Sequence, residues 1–201
     1  MKKINFISTI ICFSLFFTVF EKTFSQNHAF DSLANEINRL SMYKKTKSLE
    51  LLDTLYKMAY NSPDSSLLIA HCLYEESIVN KRQGIIDTLL SNNIKERLAR
   101  KDLSLQERAI LFFGLGSCFE LEGKYANAFE HCFQALELFK QLENNRFIAK
   151  SLNTLGVLCI IIKLYNLADY YHSEALLYVS PDSHDFYFIK NQYYRITVKK
   201  Q

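Results

Sequence analysis

The stretch from residue 107 to residue 180 repeats itself at a fixed interval. Leu115-Gly116 recurs as Leu155-Gly156, Tyr125 as Tyr165, Ala128 as Ala168 and Ala135 as Ala175, each pair 40 residues apart. A period of this length marks a supersecondary unit that buries its apolar face only by stacking on a copy of itself. It therefore constrains the fold more tightly than any local propensity.

The residues inside each unit show what repeats. Leu115-Gly116 sits midway along an apolar run, Ala109 to Leu121, that reads as a helix. A glycine there costs about 1 kcal/mol relative to alanine, a cost tolerated where a second helix must come close. Gly123-Lys124 breaks the run, and Tyr125 opens another with Ala128, Cys132 and Ala135 on one face. The second unit repeats the plan with Leu152, Leu155, Gly156 and Cys159, a turn near Lys163, then Tyr165, Ala168, His172 and Ala175. Glycine (5) and proline (2) are scarce and no window alternates apolar and polar residues, so the whole chain reads as helical.

These residues resemble the tetratricopeptide repeat pattern of a large apolar residue, x2, Leu-Gly, x2, Tyr, then Ala, x3, Phe, then Ala, then Pro. The first copy reads Phe112-x2-Leu115-Gly116-x2-Phe119, then Ala128-x3-Cys132, then Ala135. The second reads Leu152-x2-Leu155-Gly156-x2-Cys159, then Ala168-x3-His172, then Ala175, then Pro181. Cys132 and His172 depart from the pattern's aromatic, Pro181 falls one residue late, and the first copy has no proline. The period also exceeds the usual value of about 34. The resemblance covers about a third of the chain. It implies an all-α, right-handed tetratricopeptide-like solenoid of about three helical hairpins with capping helices, acting as a non-catalytic scaffold for protein–protein interaction.

In proteins of that family the first helix of each repeat lines a concave groove. By register, the candidate partner groove here is Ile110, Phe113, Ser117 and Glu120, then Lys150, Asn153, Val157 and Ile160. Phe113, Val157 and Ile160 suit a hydrophobic or helical ligand. The alternative is that these side chains pack against neighbouring helices.

Outside the two clear units the pattern weakens. Asp31 to Met42 reads as a short leading helix, and Thr46 to Tyr60 as a helix with Leu51, Leu52, Leu55 and Met58 on one side. Ser62-Pro63-Asp64 ends it and starts another that carries Leu67, Ala70, Cys72 and Tyr74, together a degenerate repeat. Ile85 to Arg100 is amphipathic but out of register, an inserted helix. Ser183 to Val198 presents Phe186, Ile189, Tyr193 and Ile196 on one face and Lys190, Gln192 and Arg195 on the other, as a capping helix requires. The expected organisation is thus 1–25 as a signal peptide, 26–106 as a helical N-terminal region with a degenerate repeat, 107–182 as two repeats and 183–201 as the cap.

The first 25 residues have the form of an export signal. Lys2-Lys3 precede the apolar stretch Ile4 to Phe20, and Thr23-Phe24-Ser25 supply small residues for cleavage before Gln26. The apolar stretch is short of the ~20 residues a span needs; an uncleaved anchor is the alternative. The expectation is a periplasmic or extracellular protein. Cleavage removes Lys2, Lys3, Lys22 and Glu21 and lowers the formal charge from +3 to +1. A near-neutral chain offers no electrostatic case for nucleic acid.

Nothing in the sequence points to catalysis. Gly-x-Gly-x-x-Gly, Walker, His-Glu-x-x-His and Gly-x-Ser-x-Gly motifs are all missing, and no cofactor is implied. His71-Cys72 and His131-Cys132 are neighbours whose side chains diverge on a helix, which disfavours a metal site in either pair. Cys72, Cys118, Cys132 and Cys159 fall in apolar stripes and read as small hydrophobes. Cys118 and Cys132 lie on the two helices of one hairpin, so a disulfide between them is the alternative in an oxidising compartment. The expected partner is another protein or peptide. The second functional reading is the sensor portion of a tetratricopeptide-containing signalling or transcriptional regulator, and a third, from another class, is a cryptic metal- or thiol-dependent enzyme.

Overall fold

The computed structural model describes residues 28–41 and 44–199, so the expected export segment lies outside the described residues. The described residues form helices joined by turns, with no strand among them. A first helix, α1, covers 28–40. It is followed by α2 (Lys45–Tyr60), α3 (Ser65–Gln83), α4 (Thr88–Leu98), α5 (Leu105–Leu121), α6 (Tyr125–Gln141), α7 (Asn145–Ile161), α8 (Tyr165–Leu176) and α9 (His184–Lys199). No described helix is long and apolar enough to cross a membrane.

Local chemistry sets the helix ends. Ser104 and Glu107 form a reciprocal capping box at the start of α5. Asp87 accepts from the Leu90 N–H at 3.0 Å to start α4, and Asn144 accepts from the Phe147 N–H at 3.2 Å to start α7. Such caps contribute about 1 kcal/mol each. At the other end, α3, α5, α6 and α7 stop in the same way. Gly84, Gly123, Glu143 and Lys163 take positive φ values of 66°, 71°, 52° and 63°. The following N–H then reaches back five residues, from Ile85 to Asn80, Lys124 to Phe119, Asn144 to Phe139 and Leu164 to Cys159, at 2.8–3.0 Å. Gly123 and Lys163 are equivalent positions one period apart, and only the glycine occupies the left-handed region without strain.

Short turns fold α6 back on α5 and α8 back on α7, and α6 in turn packs on α7. The repeated glycines are where these helices touch. A Cβ on Gly116 would lie 2.5 Å from Cys132 Sγ and 3.2 Å from the Ala128 carbonyl oxygen. A Cβ on Gly156 would collide with the His172 imidazole. Cys132 and His172 are the two residues that depart from the expected aromatic, and each lies directly on the glycine of the facing helix. His172 is fully buried, with Nδ1 2.7 Å from the Ala168 carbonyl oxygen.

The spacing extends further upstream than residue identities suggest. α3, α5 and α7 begin at Ser65, Leu105 and Asn145, 40 residues apart. α3 runs parallel to α5: Ser66 donates to Glu107 near their starts, and Lys81 Nζ meets Glu120 at 2.6 Å near their ends. Gly114 permits this approach, since its Cβ position lies 3.4 Å from Tyr74 Cα. α4 returns along them, and Arg97 Nη2 donates to the Ser66 carbonyl oxygen at 2.8 Å. The segment 85–100, expected to lie outside the register, therefore supplies the helix that connects α3 to α5.

Two cores result. Phe30 and Ile37 of α1 pack with Leu52, Leu55, Leu68, Cys72 and Val79 of α2 and α3. A larger core joins α3 to α9 around Phe139, which is fully buried and stacks on Phe147 with ring centroids 4.7 Å apart. Ile189 of α9 is buried in the same core, so α9 covers α7 and α8. All four described cysteines are free and buried. Cys118 and Cys132 are thus not bridged here, and Cys132 Sγ is seated on Gly116.

Candidate functional site

Helical spacing aims four sets of side chains at one place. Tyr74, Ile78 and Arg82 lie one turn apart on α3, and Arg146, Lys150 and Asn153 on one face of α7. Asp185, Phe188 and Ile189 come from the first turns of α9, and Asn35 and Asn38 from α1. With Phe113 of α5 they line a cleft of about 520 Å³. This size falls in the range of about 300–1,000 Å³ typical of small-ligand sites.

Two sets of contacts tie α1 to α7, the first of them between residues that line the cleft. Arg146 Nη2 donates to Asn35 Oδ1 at 3.0 Å. The His71 ring lies between Phe30 of α1 and Phe147 of α7, with centroids at 6.3 and 6.2 Å. Burial pushes His71 down to about 4, and the Lys150 and Arg146 charges add to the effect. His71 is therefore a neutral, aromatic spacer at neutral pH.

The charges in the cleft form one group. Glu75 is buried behind it and accepts from Asn38 Nδ2 at 2.6 Å. Burial raises its pKa, while Lys150, Arg146 and Arg82 pull it back. Lys150 is held below the usual lysine range, first by burial and then by Arg146, with Glu75 and Asp185 opposing. Its ammonium lies 5.8 Å from the Tyr74 ring centroid and 5.2 Å from that of Phe147. Among the described residues, neither Lys150, Arg146 nor Arg82 forms an ion pair within 4.0 Å. Arg82 instead donates to the Asn38 carbonyl oxygen and to Ser41 Oγ. Asn153 Oδ1 is buried with no hydrogen-bond donor from the protein.

The structure brings together only part of the groove read from the register. Lys150 and Asn153 line the cleft, and Phe113 reaches it with an edge although it is only 2% exposed. Ile110 and Ser117 do not line it. Ile110 is fully buried because α3 lies directly against α5, and the buried Ser117 hydroxyl donates to its own helix at the Phe113 carbonyl oxygen, 3.2 Å away. Glu120 is taken up by Lys81. Val157 and Ile160 are half-buried farther along α7, outside the cleft. The contributions of α1, Arg82 and α9 were not readable from a register confined to two repeats, since they depend on packing between distant segments.

Other chemistry is sparse. Burial pushes the Cys72, Cys118 and Cys132 thiols up to about 12 and Cys159 to about 11, which suppresses the reactive thiolate. Among the described residues, no group of three or more His, Cys, Asp or Glu side chains is placed to hold a metal ion. No protein-family model matches this chain, and no curated protein matches it.

Proposed function

We propose that this chain is a non-catalytic binding module of the tetratricopeptide type, exported from the cytoplasm, in which stacked helical hairpins hold a partner polypeptide against their inner face. The observation that carries this reading is the convergence of α1, α3, α5, α7 and α9 on one cleft. Parallel helices spaced one period apart present their equivalent faces to the same side, which is how a solenoid makes a preformed binding surface. Support also comes from the seating of Cys132 on Gly116 and His172 on Gly156, which is the close hairpin contact that the repeat pattern encodes. Half-buried Val157 and Ile160 extend the inner face of α7 beyond the cleft and supply apolar area for a partner. The walled, ligand-sized cleft supports the second reading, the sensor portion of a signalling or transcriptional regulator.

The test is capture of a partner from the exported proteins of the source cell, identified by mass spectrometry and then remade in pure form. Val157→Glu is expected to abolish binding of the pure partner while the melting temperature stays near that of the parent. Undiminished binding by Val157→Glu would place the docking surface elsewhere.

A further inference from the structure

The cleft between α3, α7 and α9 has a charge inventory of its own, separate from the question of a protein partner. Arg82, Arg146, Lys150 and Asp185 line it and Glu75 is buried behind it, so three cations stand with two carboxylates. The remaining cation, Arg39, is neutralised by Glu36 at 2.6 Å. One positive charge is left uncompensated, in a place where both Lys150 and Glu75 are substantially removed from water.

That inventory decides between ligand charges. A monoanion balances the group. A phosphate dianion would overshoot it and be repelled by Glu75 and Asp185. A cation would add to that excess and be repelled by Arg82, Arg146 and Lys150. The walls decide the rest of the ligand. Ile78, Phe113, Phe188 and Ile189 give the cleft apolar lining beside its charged groups. Asn153 adds a hydrogen-bonding amide without a present donor to its oxygen, and half a turn of that amide offers its NH2 at the same point. Arg146 also donates to Asn35 Oδ1 at 3.0 Å, which fixes its guanidinium beside the cleft.

We infer that the cleft is a binding site for a compact monocarboxylic acid with an apolar body, its carboxylate held by Arg146 and Lys150 and its body laid against Phe113, Phe188 and Ile189. The guanidinium and ammonium provide charge-assisted hydrogen bonds to the two carboxylate oxygens, and the planar Arg146 fork matches carboxylate geometry. This goes beyond the protein-docking reading and does not require it.

The experiment is calorimetric titration of the purified full chain at low salt with four probes: phenylacetate, acetate, phenethylamine and the capped peptide acetyl-Leu-Glu-Leu-amide. Phenylacetate is expected to bind, acetate to bind more weakly for want of the apolar body, and phenethylamine not to bind. Arg146→Gln and Lys150→Met are each expected to weaken phenylacetate binding by about tenfold or more. Arg146 sits at the rim, so its variant reports on the site even if Lys150→Met perturbs folding. Val157→Glu is expected to leave phenylacetate binding intact, so this site and the protein-docking reading fail separately. Equal binding of phenethylamine, unchanged phenylacetate affinity in both variants, or binding of the peptide alone would overturn the inference.

Discussion

Gly116 and Gly156 occupy the same position in successive units, yet the structure predicts that alanine at each will be rescued differently. A methyl group on Gly116 meets Cys132 Sγ at 2.5 Å, but also the Ala128 carbonyl oxygen at 3.2 Å and the Cys132 nitrogen at 3.3 Å. Two of those three atoms are backbone, so α5 and α6 must move apart. Overpacking of this kind costs about 1–3 kcal/mol, and the gain in helix propensity returns up to about 1 kcal/mol. A net loss of about 1–2 kcal/mol is expected, which corresponds to a melting shift of roughly 2–8 °C for a chain of this size. At Gly156 all three nearest atoms belong to the His172 ring. That ring is fully buried and tied to Ala168, so it has nowhere to go while it remains. Removing it should remove the clash. In double-mutant cycles read by urea denaturation, Gly156→Ala with His172→Ala should show a favourable coupling of about 2 kcal/mol. Gly116→Ala with Cys132→Ala should show about half that, because the backbone contacts persist. A neutral Gly116→Ala, or no coupling between 156 and 172, would show that these helices do not meet at the glycines.

Two further outcomes follow from particular residues. Lys163→Gly should stabilise the protein by about 0.5–1 kcal/mol, since residue 163 holds φ at 63° where its counterpart is Gly123; a higher urea midpoint checks it. His71, held neutral and pushed down to about 4, contributes stability that is present above its unfolded value near 6.5 and is lost as pH falls from there toward 4. The loss is at most about 3 kcal/mol by the size of the shift. Glu75, whose pKa is raised, acts in the opposite sense on acidification, so the measurement is the difference in pH dependence between the parent and His71→Leu; parallel profiles from pH 7.5 to 4.5 would refute the assignment.

The helical hairpins were legible because their signals are local. Gly116, Gly123 and the Ala128–Cys132–Ala135 stripe lie within one unit, and Gly116, Ala128 and Ala135 recur 40 residues on as Gly156, Ala168 and Ala175. The site was legible only in part. Phe113 reads as groove from its register, yet Tyr74 stacks on it at 5.5 Å and Phe139 and Phe147 enclose it, because Gly114 draws α3 against α5. Gly114 sits two residues before the repeat glycine, and nothing local separates its role from that of Gly116. The eleven residues of α4 hid the upstream period, since a short return helix carries no Ala–x3–aromatic signature. The wall made by Asn35 and Asn38 depends on α1 meeting α7, a contact between segments that no periodicity links.

The claim that the inner face is the binding face is tested most directly by hydrogen exchange on the free chain and on its complex with the captured partner. The account predicts that protection rises in α7 around residues 150–160 and in the first turns of α9, while α6 and α8 exchange as before. Protection confined to α6 and α8 would contradict it.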